Sequence, residues 1–217
     1  MAFLFEPKDL VPFESAWNWQ RSWQRGLIKG SKTSSAVWFL QHLNCYTLGR
    51  GASKENILFA LNDPPCPLYR IDRGGEVTYH CPGQLVAYPV LDLRNYKKDL
   101  DWYLRQLEEV GLDVLLKLGI KGERRPGLTG LWIEGRKVVS IGVGCRRWIT
   151  QHGLSLNINC DLQGFDLIIP CGIKGNSMGT LKSWIPGIKV DDVQPLMKES
   201  FEDRFHFIFN SQDHGDL

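Results

Sequence analysis

No stretch of this 217-residue chain approaches the roughly 18 consecutive apolar residues that a membrane span requires. The N-terminal "MAFLFEPKDL" meets Glu6, Pro7 and Lys8 after a few apolar residues, too few for a signal peptide. A soluble, cytoplasmic protein without membrane attachment is therefore expected. Charge of one sign is also missing: 26 Lys and Arg stand against 24 Asp and Glu, and a formal charge of +2 gives no reason to expect a nucleic-acid partner. Six cysteines, at 45, 66, 81, 145, 160 and 171, include no Cys-x-x-Cys pair, which argues against a zinc knuckle and a compact disulfide framework. A Walker loop and a dinucleotide fingerprint are absent too, since "GRGASKENILF" and "RGGEVT" carry glycines at other spacings. With no internal repeat, low-complexity tract or linker, residues 1–217 read as a single domain.

What is present is a chain 43% hydrophobic, enough for a sizeable core. "FESAWNWQRSWQRGL" places Ala16, Trp19, Gln20, Trp23 and Leu27 at helical spacing, an amphipathic first helix. "AVWFLQH" and "NCYTLGR" read as strands, and "PLYRIDRGGEVTYHCPGQLVAYPVLDL" holds two more extended segments, Pro89 marking the second as an edge or bulged strand. From Tyr96 to about Leu118 the pattern is helical, with Gly111 a break between two pieces. Glu134-Gly135 sits between "LWI" and "KVVSIGV" as a hairpin turn. "FDLIIP" reads as a short strand. A C-terminal helix opens on Asp191 as N-cap, with Gln194 three residues on and Leu196, Phe201, Phe205 and Ile208 as its apolar stripe. Strand blocks separated by helices, without strict alternation, indicate an α+β fold on a mostly antiparallel or mixed sheet.

Chemistry concentrates in two places. In "RIDRGGEVTYHCPGQ", Arg73, Glu76, Thr78 and His80 surround a Gly-Gly pair that lets the backbone approach a ligand and present N–H groups, or that simply forms a charged surface hairpin. His80 and Cys81 are adjacent, but neighbours on a strand point to opposite faces, so they do not form a dyad if the segment is extended. In "LIIPCGI", Cys171 follows a proline and is either a small buried hydrophobe or a nucleophile. A nucleophilic thiol needs a proton acceptor, because the thiolate is the reactive form. Lys137, at the start of "KVVSIGV", is a candidate partner, against the commoner fate of a solvated lysine at a hairpin end.

At these residues the sequence resembles the lipoyl(octanoyl) transferases. The matching pieces are "TLGRG" at 47–51, "RGGEVTYHCPGQLVAYPVLDL" at 73–93, "GLTGLWIEGRKVVSIGV" at 127–143, "RRWITQHGLSLNIN" at 146–159 and "FDLIIPCGI" at 165–173. The resemblance implies the fold of the lipoate and biotin protein ligase catalytic domains: a large mixed sheet with helices packed on one side and a smaller sheet beside it. It implies octanoyl transfer from octanoyl-acyl carrier protein to a specific lysine of lipoyl domains, those of 2-oxoacid dehydrogenase complexes and the glycine cleavage H protein. The thioester cysteine would be Cys171 and the base Lys137. Substrate contacts would fall on Arg73, Gly74, Gly75, Glu76, Val77, Thr78, Tyr79 and His80, on Ser140, Ile141 and Gly142, and on Gly153, Leu154 and Ser155. No cofactor, nucleotide or metal is implied, since the donor thioester is already activated. Cys81 departs from the glycine usual in "YHGPGQ", which puts a thiol near the expected pocket. The alternatives are an ATP-dependent lipoate protein ligase and a non-catalytic module that binds lipoyl domains or acyl carrier protein.

Overall fold

The computed structural model describes residues 1–170 and 177–212, with the side chains of 211 and 212 excepted. Eleven strands and three helices are found among them. In chain order these are β1 (Ala2–Phe5), α1 (Phe13–Lys29), β2 (Ser35–Leu40), β3 (Cys45–Leu48), β4 (Leu68–Arg70), β5 (Val77–His80), β6 (Gln84–Val90), α2 (Leu100–Lys117), β7 (Glu123–Arg125), β8 (Leu128–Ile133), β9 (Arg136–Arg146), β10 (Ile149–Asn157), α3 (Val190–Phe205) and β11 (Phe209–Gln212). Eight strands form one mixed sheet in the order β11-β1-β2-β6-β10-β9-β8-β7, and β4-β3-β5 form a second. β1 runs parallel to both its neighbours; the other pairs of the large sheet are antiparallel.

Period-two alternation divides the large sheet between two cores. Val37, Phe39, Leu85 and Ala87 face α2 and α3, where Val110, Val114, Met197 and Phe201 pack. Ala36, Trp38, Val86 and Tyr88 face the other way, against Phe13, Trp23 and Leu27 of α1. Helices therefore cover both faces, two on one side and one on the other, where the resemblance implied one side. Burial on both faces explains why β2 is apolar from Ala36 to Leu40.

Four local expectations are corrected. Pro89 lies in a central strand, β6, between β2 and β10. The β10 ladder stops at Leu154, opposite Ala87, and beyond it the Thr150 hydroxyl donates to the Pro89 carbonyl at 2.8 Å and accepts from the Leu91 N–H at 2.8 Å. That side chain supplies the pairing proline cannot, and Gln20 of α1 accepts the His152 N–H at 2.8 Å. Gly111 is inside an unbroken α2; its missing Cβ makes room for Leu131 Cδ1, which would stand 2.6 Å away. "FDLIIP" is a 3-10 turn over Gln163–Leu167 followed by a single bridge from Ile168 to Ile57. α3 begins at Val190 rather than after Asp191, with the Lys189 N–H donating to Asp192 at 2.8 Å, and Ile208 lies beyond it, exposed. The Glu134-Gly135 turn is as expected, both residues having positive φ, 47° and 82°.

Candidate functional site

The first helix, the small sheet and strands β6, β9 and β10 meet around a cavity of about 220 Å³. Its polar wall is the "RGGE" loop. Arg73 is buried, and its guanidinium donates to the Thr47 carbonyl at 2.8 Å, the Thr47 hydroxyl at 3.0 Å and the Gly74 carbonyl at 3.0 Å. Glu76 accepts from the Ser53 N–H and the Asn56 side chain, both at 3.0 Å, tying the loop to the segment after β3. The glycines are spacers: a Cβ on Gly49 would stand 2.2 Å from the Gly75 carbonyl, and one on Gly142 would stand 3.0 Å from Arg73 Cδ.

His80 projects from β5 into the same space. Gln84 donates through its amide nitrogen to Asn157 at 2.8 Å, so its oxygen accepts from His80 Nδ1 at 2.6 Å, and Asn157 donates onward to the Gly179 carbonyl. This network assigns the proton to Nδ1 and leaves Nε2 an acceptor. Burial, with His42 adding to it, pushes the His80 pKa down to about 3; burial alone pushes that of His42 down to about 4. His42 in turn donates through Nδ1 to the Val11 carbonyl and accepts from the Tyr88 hydroxyl at 2.9 Å.

Lys137 lies on the far wall and is only 2% exposed, which removes the solvated-lysine reading. Its ammonium donates to the Thr129 carbonyl at 3.0 Å and stands 5.1 Å from the centre of the Trp132 ring. Its backbone is tied to the later chain: the N–H donates to the Ser177 carbonyl at 2.9 Å, and the carbonyl accepts from Gly179 at 2.8 Å.

Of the residues singled out in the sequence, Arg73, Gly75, Glu76, Val77, Thr78, His80, Lys137, Ser140, Ile141, Gly142, Gly153, Leu154 and Ser155 all border this cavity. Tyr79 does not: alternation turns it into the small-sheet core, against Tyr46 and Phe165 at 5.0 and 5.5 Å between rings. Gly74 is not among the cavity-lining residues either; its N–H donates to the Val143 carbonyl at 2.8 Å. Cys171 lies outside the described residues; Pro170, immediately before it, borders the cavity. Cys81 lies in the small-sheet core rather than on the cavity, a free thiol that donates to the Asp161 carbonyl at 3.5 Å; a hydrogen bond with the Cys160 thiol and then burial push its pKa well up. Sequence reasoning missed Phe13, Ile71, Val86, Tyr88, Thr129 and His152. Thr129 and His152 stood inside quoted motifs, and Val86 and Tyr88 share one face of a strand. Phe13 and Ile71 also stood in quoted stretches, but nothing local turns them toward this cavity; tertiary packing does.

A family model described as the lipoyl protein ligase A/B catalytic domain matches residues 13–202. The octanoyltransferase of Prochlorococcus marinus (strain MIT 9313) is 62% identical over 207 residues, covering 95% of this chain and 85% of that protein. That of Parasynechococcus marenigrum (strain WH8102) is 60% identical, covering 94% and 89%. Among solved structures, lipoate-protein ligase A bound with ATP superposes with a TM-score of 0.77 at 14% identity, over 98% of this chain and 87% of that one. The biotin protein ligase of Aquifex aeolicus gives 0.52 at 12% identity, over 94% and 68%. The two structures show a shared fold; the two sequences go further, and with the family model they establish that the chain belongs to the lipoyl protein ligase A/B catalytic-domain family and, within it, to the octanoyltransferases.

Proposed function

We propose that the protein transfers an octanoyl group from octanoyl-acyl carrier protein to a specific lysine of lipoyl domains, through a thioester on Cys171 with Lys137 as its base. The acceptors are the lipoyl domains of 2-oxoacid dehydrogenase complexes and the glycine cleavage H protein. One observation carries the reading. On one side of residues 171–176 Pro170 borders the cavity, and on the other the Ser177 carbonyl accepts from the backbone N–H of Lys137, which borders it too. Lys137 itself is buried in the wall of the same cavity.

In the first half-reaction the Cys171 thiolate attacks the donor carbonyl, a new carbon–sulfur bond forms, and the carrier thiolate leaves, taking a proton from the Lys137 ammonium. In the second, the acceptor lysine attacks the acyl-enzyme, neutral Lys137 takes its proton, and the Cys171 thiolate is released. The thiol and the ammonium titrate as a pair in this scheme. Ile71, Val86, Ile141 and Leu154 give the cavity the apolar wall an alkyl chain needs.

Transfer to a purified lipoyl domain, followed by the mass of the acceptor, tests the scheme. Octanoylation should proceed without nucleotide, and Lys137→Ala should slow it roughly a hundredfold or more. A strict requirement for ATP with free octanoate as donor would establish the ligase chemistry instead.

A further inference from the structure

Lys137 is held from outside the cavity. Its ammonium donates to the carbonyl of Thr129, and the N–H of the next residue, Gly130, donates to Glu108 Oε1 at 3.1 Å. These two groups belong to one peptide unit, planar and trans, so its oxygen and its hydrogen point in opposite directions. One rigid plane thus joins the carboxylate of α2 to the ammonium on the cavity wall. The bond from N–H to carboxylate also polarises the amide and strengthens its oxygen as an acceptor.

The surroundings make this link specific. Glu108 is fully buried, and its other oxygen accepts from Arg105 and from Arg124, both at 2.6 Å, so the carboxylate is clamped. Gly130 has φ 129°, and a Cβ there would stand 2.4 Å from the Val139 carbonyl and 2.6 Å from Lys137 Cε. The pairing of β8 with β9 slips at this point, Leu131 facing Val139 but Trp132 facing Lys137, so Val138 is an extra residue in a bulge that re-aims Lys137.

We propose that Glu108 is a positioning residue for the reaction, fixing the Lys137 ammonium through the Thr129–Gly130 peptide. This rests on the reading of Lys137 as the base. The test measures kcat and KM for octanoyl transfer with Glu108→Ala and Glu108→Gln, each alone and combined with Lys137→Ala, on the folded fraction of each variant.

Glu108→Ala should lower kcat roughly tenfold to a hundredfold, as for a misplacement of about 1 Å, with KM for the donor nearly unchanged. Glu108→Gln, whose single amide oxygen has three N–H donors to serve and whose NH2 faces a donor in either orientation, should lower kcat as well, with the same coupling to Lys137. In the Lys137→Ala background the effect of Glu108→Ala should disappear. If Glu108→Ala fails to fold, Glu108→Asp draws the carboxylate back without changing its charge and is expected to show the same coupling to Lys137.

Additive losses with Lys137→Ala or an unchanged kcat would overturn the inference. Near-normal transfer by Lys137→Ala would instead overturn the reading beneath it.

Discussion

His42 and His80 are enclosed side by side, their rings 5.3 Å apart, and both are held neutral chiefly by burial. Their folded pKa values lie below the ordinary 6.5, so above that value neither state takes a proton and the full stability is present. As pH falls below it the unfolded chain binds protons first, and stability declines until the folded values, about 4 and about 3, are passed. Each group then contributes about 1.4 kcal/mol per pH unit. Because the unfolded rings are already half protonated at 6.5, urea unfolding between pH 6.5 and 5.5 should show a loss of about 2 kcal/mol; a flat profile would mean that these rings are protonated in the folded protein. At this scale the motifs told much about the site. They identified the loop from Arg73 and the start of β9, but they could not tell which of Thr78, Tyr79 and His80 faces the cavity without a strand direction. Tyr79, within the implied contact run, packs in the small-sheet core instead.

The β6–β10 pair shows how an element absorbs residues that seem foreign to it. Gly153 leaves space that a Cβ would fill 2.2 Å from the Ala87 carbonyl and 2.6 Å from Pro89 Cδ. Because one of those atoms is backbone in a central strand, Gly153→Ala should destabilise the fold by about 2 kcal/mol or more, lowering Tm by roughly 4–8 °C. An unchanged Tm would mean that the ladder has slack it does not show. Periodicity found α1, α3 and the span of α2, and the turn residues found the β8–β9 hairpin, because apolar spacing and a two-residue turn are local. They failed where distant side chains decide. Thr150 and Gln20 make Pro89 tolerable in a central strand, Leu131 explains the glycine in α2, and the pin of Gly164 under Tyr79 fits a turn where the apolar run suggested a strand.

Across the whole molecule, chain segments far apart in sequence meet at one cavity. α1 supplies Phe13, the loop before β5 supplies Arg73, and β9 supplies Lys137. The order of the large sheet was not legible, since β1 pairs in parallel with β11 from the opposite end of the chain and no local signal encodes that. The family resemblance supplied what periodicity could not, an architecture and a reaction, while helices on both faces emerged from the coordinates. The central claim is that Cys171 carries the acyl group. Its most direct test is the intact mass of the protein after incubation with octanoyl-acyl carrier protein alone. The wild-type protein and Cys81→Ser should each gain one octanoyl group and Cys171→Ala none; an adduct that survives Cys171→Ala would contradict the account.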